Sequence, residues 1–264
     1  MALEHQDRAP GVGSSGRGER RSTPRTTSPV TVRKYLALAR PAKVRNAVRR
    51  RVFEREMAAI TVDPYQIVHL GTAYGGWYVP NDLIDDGWMC YCVGAGHDVS
   101  FDLALISEYG ARVRAFDPFE FYESEALTAA HGDPRFSFHC VAIATQDGPL
   151  EMVGRQDEER GNVSAVGHAD DKRGSFVLPG RTVTSLMTEL GDNPVQLLKL
   201  DLEGLEYDVV PSLDLRAIGV QVFLVQLHHN RTARVARRLI DDIRRSGYRL
   251  VATKYSSKLT FVSE

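Results

Sequence analysis

Only 3 cysteines occur in this chain, an odd number, and none of them falls in metal-binding spacing. Two of the three, Cys90 and Cys92, alternate on one predicted strand and read as small core residues. Long apolar runs are missing too, and no secretory h-region is visible, so no membrane span is expected. A reduced, cytoplasmic protein is the simplest reading. Net charge is almost absent, at -1, but that figure hides an asymmetry. Most of the arginine excess lies before about residue 55, which leaves the remainder acidic. No interleaved aromatic platform accompanies those arginines, so a nucleic-acid partner is not expected.

What is present is organised along the chain. Residues 1–30 are rich in Gly, Ser, Pro and Arg and hold almost no large apolar side chains. Such a tail cannot offset its ordering entropy and is expected to be disordered. A basic helical segment follows in 31–64, its pattern running from Val32 to about Ile60. From residue 65 to 264 the 43% hydrophobic content of the chain supports one sizeable core. Apolar strands near 89–93, 113–116, 136–143, 196–201 and 220–227 alternate with helical patterns at 100–109, 123–130, 183–190 and 231–246. Tyr248–Ala252 and Leu259–Val262 read as a closing antiparallel pair. The polar stretch 154–176 reads as a long loop. This alternation predicts an α/β fold with a doubly wound, mostly parallel sheet.

Two turns carry the chemistry. The first, Cys92-Val-Gly-Ala-Gly-His-Asp-Val-Ser-Phe-Asp102, ends an apolar strand and opens a helix. Gly94, Ala95 and Gly96 let the backbone approach a ligand, and the helix beyond presents free N–H groups. A dinucleotide fingerprint would require a third glycine where Val99 stands, which counts against NAD. Asp98 suits the amino group of a methionine moiety, or else it or Ser100 caps the helix. Asp117, just past the second strand and followed by Pro118, is placed to bind ribose hydroxyls. Val141 and Ala142, at the end of the third strand, would flank an adenine. Acidic residues at both turns disfavour a phosphate-rich ligand and suit a neutral or cationic nucleoside, with S-adenosylmethionine the obvious candidate.

These residues resemble the FkbM-type S-adenosylmethionine-dependent methyltransferases. The resemblance rests on the first turn, on Gly75-Gly76-Trp77, on Phe116-Asp117-Pro118 and on Leu198-Lys-Leu-Asp-Leu-Glu-Gly-Leu-Glu206, in that family's order over about residues 65 to 262. It implies the class I methyltransferase fold, a Rossmann-like seven-stranded sheet with one antiparallel strand. It also implies methyl transfer from S-adenosylmethionine, usually to an oxygen of a small molecule or sugar.

On the acceptor side, Asp201 and Glu203 leave the fourth strand at the crevice, and His228 and His229 leave the fifth. His228 is the leading general base. The family tends to carry an acid two residues before that histidine, where this chain has Gln226, which puts a carboxylate–histidine pair in doubt. Tyr74, Trp77, Glu206 and His229 are the candidate contacts to the small-molecule acceptor. Tyr74 and Trp77 read equally as hairpin aromatics packed on the core, and Glu206 as a solvated or capping helix residue. No dense ligand spacing enforces a metal and none is assigned, although Asp201, Glu203 and His228 could alternatively hold a divalent cation. N-methylation and a non-catalytic S-adenosylmethionine-binding scaffold are the alternative functions.

Overall fold

The computed structural model describes residues 41–153 and 175–264. The tail expected at 1–30 and most of the loop expected at 154–176 lie outside them. The chain divides into two units after Val44, and of the first only the start of helix α1, Pro41–Met57, is described. Of this largely polar helix, Phe53 and Met57 are buried.

The second unit, Arg45–Glu264, is built on a seven-stranded sheet. A hairpin of β1, Ile67–Leu70, and β2, Trp77–Pro80, precedes it. Strand β3, Met89–Val93, leads to helix α2, Ser100–Tyr109. That helix stops at Gly110, as expected, in the left-handed conformation at φ 71°, its N–H donating to Ile106 O. Strand β4, Arg112–Phe116, helix α3, Glu120–Ala129, and strand β5, Phe136–His139, follow. Then come β6, Ala142–Ile143, β7, Gly148–Val153, β8, Ser175–Arg181, and helix α4, Val183–Leu190. Strand β9, Leu197–Leu200, is followed by the short helices α5, Glu206–Val209, and α6, Leu215–Ile218. Strand β10, Val222–Gln226, helix α7, Ala233–Arg245, and the hairpin β11, Tyr248–Lys254, and β12, Lys258–Ser263, close the domain.

The order across the sheet is β11-β12-β10-β9-β3-β4-β5, with β12 alone antiparallel to its neighbours. The chain winds outward from β3 to β4 and β5, then returns to build β9 and β10 on the other side of β3. The carboxyl ends of β3 and β9 therefore meet where the winding reverses, the place where an open α/β sheet leaves a crevice. Alternation along the central strands feeds two cores. Tyr91, Val93, Leu198, Leu200, Phe223 and Val225 pack with α1, α4 and α7. Cys90, Cys92, Val222 and Leu224 pack with α2 and α3.

Two expectations are corrected. The run Phe136 to Ile143 is not one strand: the Val141 N–H turns back to His139 O, and β6 leaves the main sheet to pair with β8. The end of the expected 154–176 loop is also strand, since β8 begins at Ser175 and pairs along its length with β7. Pro179 and Gly180 hide that strand from pattern reading, because both are weak strand residues.

Candidate active site

At the β3 turn, Gly94 and Gly96 have φ of 75° and 53°, conformations in which glycine is at home. A Cβ on Gly94 would lie 2.2 Å from Asp201 O, so the first glycine is required for the two turns to touch. A Cβ on Gly96 would meet nothing within 4 Å, because this glycine faces open space. Asp117 is buried and ties the turn to its own strand end, accepting from Gly96 N–H at 3.1 Å and Phe119 N–H at 3.2 Å. Burial pushes its carboxyl up to about 6, against the two backbone N–H groups that hold it down.

Asp98 does less capping and more anchoring than expected. The N-cap position is Val99, without a side-chain cap, while Asp98 accepts from Ser100 N–H at 3.0 Å, Gly75 N–H at 3.1 Å and the Thr72 hydroxyl. Burial works against its ionisation, but the hydrogen bonds from Ser100, Thr72 and Gly75 outweigh it and hold the carboxyl below its ordinary range. Ser100 accepts from Thr72 N–H at 2.8 Å. Together they pin the loop between β1 and β2 against the start of α2. A Cβ on Gly75 would lie 2.5 Å from the Asp98 carboxyl carbon, which explains the glycine.

Beneath the first turn lies a residue that pattern reading passes over. Lys199, in the middle of buried β9, is 4% exposed and donates to Gly94 O at 3.0 Å. Asp102 on α2 is wholly buried; burial pushes its carboxyl up to about 6, with the Lys199 charge pulling the other way. A charged residue inside the run Leu-Leu-Lys-Leu was the available signal, since lysine is almost never buried without a partner.

The second turn gathers Asp201, Glu203 and His228. The His228 Nε2 atom lies 3.7 Å from Asp201 Oδ1 and 3.5 Å from Glu203 Oε2. Glu203 has φ 48°, a left-handed conformation uncommon for a residue other than glycine, of the kind that gathers at functional sites. Glu206 is fully buried and accepts from His228 N–H at 2.6 Å and from Gly204 N–H at 2.8 Å, with His228 Nδ1 at 3.2 Å. The acid that position 226 lacks is thus supplied from α5. Gln226 instead brings its side-chain amide within 3.2 Å of His228 Nε2. Burial alone would lower the His228 pKa, but the carboxylates of Glu203, Glu206 and Asp201 beside it push it up. Burial raises the Asp201 carboxyl, opposed chiefly by the His228 charge.

These turns open onto one cavity of about 800 Å³. Gly94, Ala95, Gly96, Asp98, Asp117, Pro118, Val141 and Ala142 line it, and so do Tyr74, Trp77, Asp201 and Glu203. Ser100, Glu206, His228 and His229 do not line it. His229 is exposed, and apart from burial it responds to the charges of His228, Arg50, Glu54 and Arg49. Residues that sequence reasoning missed complete the lining: Lys199, Phe119, Tyr122, Leu150, Met152, Tyr255, Ser257 and Lys258. The Lys258 ammonium lies 4.8 Å from the centre of the Trp77 ring and donates to Tyr74 O at 3.1 Å. Burial lowers its pKa to about 8, against the charge of Asp201.

A sequence model described as the methyltransferase FkbM domain matches residues 92–250, more than half of the chain. The chain belongs to the FkbM methyltransferase family. No curated protein matches it. Among solved structures it is similar to the fibrillarin pre-rRNA processing protein of Methanococcus jannaschii, at 8% identity and a TM-score of 0.41. That similarity covers 78% of this chain and 85% of the other. No helix among the described residues is long and apolar enough to cross a membrane.

Proposed function

We propose that residues 65–264 form a class I methyltransferase domain that moves the methyl group of S-adenosylmethionine to a hydroxyl oxygen of a small molecule. The observation that carries this reading is the 800 Å³ cavity at the reversal of the sheet, lined by the glycine turn and Asp117 together with Asp201 and Glu203. Its volume is within the range of about 300–1,000 Å³ usual for small-molecule sites. The carboxylates of Asp98, Asp117, Asp201 and Glu203 outnumber the lysines of the wall, which suits a sulfonium nucleoside better than a polyphosphate.

Bound there, S-adenosylmethionine would supply an electrophilic methyl group. The residues of the chain do the rest. The Gly94–Gly96 backbone gives close approach, Asp117 meets the ribose, Asp98 faces the amino-acid portion, and Val141 and Ala142 flank the adenine. Tyr74, Trp77 and Lys258 wall the acceptor, so that transfer is mainly a matter of alignment. Glu206 fixes the His228 ring through Nδ1 and turns Nε2 toward Asp201 and Glu203. Asp201 and Glu203 face the cavity and are the groups toward which an acceptor hydroxyl would direct its proton. Carboxylates in that place favour a hydroxyl acceptor, and they support an enzyme over a scaffold that merely binds the cofactor.

Gly96 provides the cleanest test. Both oxygens of Asp117 hold the turn, so its loss would mix binding with folding, whereas a Cβ on Gly96 meets no protein atom within 4 Å. Gly96→Ala is expected to retain the fold, at a cost of about 1–2 kcal/mol for the left-handed residue. Affinity for S-adenosylhomocysteine should fall at least tenfold, about 1.4 kcal/mol. Calorimetry showing wild-type affinity in the folded variant would remove this turn from the cofactor site.

A further inference from the structure

We infer that Asp201, Glu203 and His228 form a binding site for a first-row divalent cation at the acceptor end of the cavity. One ligand atom from each lies within 4.8 Å of the others, and no other such group of three occurs among the described residues. The separations of 3.5 and 3.7 Å from His228 Nε2 to the two carboxylates are long for direct hydrogen bonds, which run at about 2.7–3.2 Å. They match donors that share one ion, since bonds of about 2.0–2.2 Å to a common centre place ligand atoms roughly 3–4 Å apart.

The surroundings point the same way. A histidine that binds a metal through one ring nitrogen almost always gives the other to a carboxylate, a backbone carbonyl or water. Here Nδ1 faces Glu206 at 3.2 Å, and Glu206 is itself buried and fixed by two backbone N–H groups. The imidazole is therefore oriented with Nε2 toward Asp201 and Glu203. The Asp201 Oδ1 atom is buried and has no hydrogen-bond partner, an arrangement that is costly for a carboxylate unless a cation meets it.

The donor set selects the ion. Two carboxylates with one imidazole favour Mn²⁺, Fe²⁺, Co²⁺ or Zn²⁺ over the all-oxygen cations Mg²⁺ and Ca²⁺. Asp201 and Glu203 line the cavity, so positions on the ion not filled by protein would face the acceptor. Its role, to fix and polarise the acceptor oxygen, rests on the methyl-transfer reading; the binding of the ion does not.

The experiment titrates the full chain with Mn²⁺ near neutral pH, reading uptake from the loss of the free-ion electron paramagnetic resonance signal and S-adenosylhomocysteine affinity by calorimetry. One Mn²⁺ per chain is expected, weakened at least tenfold by Asp201→Asn and by Glu203→Gln. Glu203 is half-exposed, so its variant should fold even if Asp201→Asn does not, and circular dichroism confirms that each has. No saturable uptake of Mn²⁺ or of Zn²⁺, or uptake unchanged in folded Glu203→Gln, would overturn the inference. Normal S-adenosylhomocysteine binding without ion uptake would overturn the cation site alone. Ion uptake without S-adenosylhomocysteine binding would support the site and overturn the cofactor reading.

Discussion

Lys199→Met is expected to lower the thermal midpoint severely and to weaken S-adenosylhomocysteine binding in whatever fraction still folds. Methionine fills most of the space of the lysine stem but leaves Gly94 O without its side-chain donor. It also leaves Asp102 buried without its counter-charge. No direct hydrogen bond joins Lys199 to Asp102, but leaving a buried charge uncompensated costs about 3–5 kcal/mol. For a domain of this size that corresponds to a fall of roughly 6–20 °C. Lys199→Met with Asp102→Leu should recover much of the lost stability, since an apolar pair of similar volume is often no worse than a buried ionic one. If the double variant regained stability but not cofactor affinity, the lysine would be a positioning residue for the glycine turn. If the single variant melted with the wild type, the lysine clamp would carry no energy.

Glu206→Ala should produce a loss of similar size, for a different reason. The carboxylate accepts from two backbone N–H groups, those of Gly204 and His228, in a place with no exposure. Alanine strands both donors and opens a void, and each unsatisfied buried group costs about 1–3 kcal/mol. The expected total is about 3–5 kcal/mol, comparable to breaking a buried ion pair. Glu206→Gln separates orientation from charge, because its oxygen can still accept from one of the two N–H groups while its amide carries no charge. In that variant the fold should survive, while the pH at which the His228 ring titrates, read by NMR, should move down. An unshifted His228 would show that Glu206 acts on the backbone alone.

Much of the first turn was legible because its causes are local. A buried strand, two glycines that need positive φ and a helix with a glycine stop are consecutive in sequence, and the structure has them where the pattern placed them. Asp117 was legible for the same reason, as the residue at the end of the next strand. The surroundings of Lys258 and Glu206 were not. Lys258 reaches the cavity because β12 inserts antiparallel beside β10, placing it opposite Gln226, a pairing that no local pattern encodes. Glu206 read as a surface helix residue because α5 is a single turn, too short to show an apolar face. His228 drew attention for its position, yet its surroundings are set by three carboxylates from the segment that follows β9. Strand β8 was hidden by its proline and glycine, and its first residues fell inside a stretch whose polarity argued loop.

The contacts joining the β1–β2 hairpin to the β11–β12 hairpin have a consequence for the order in which the cavity is completed. Lys254 donates to Ala73 O and Gly76 O, Lys258 to Tyr74 O and Thr260 to Tyr78 O, bonds that span about 180 residues of sequence. The glycine turn comes early in the chain, but it is held by Lys199 and packs on Asp201, so it waits for β9. The wall that carries Lys258 waits longer still, until the last hairpin has been synthesised and has paired with the first. The cavity is therefore closed by the final residues to leave the ribosome.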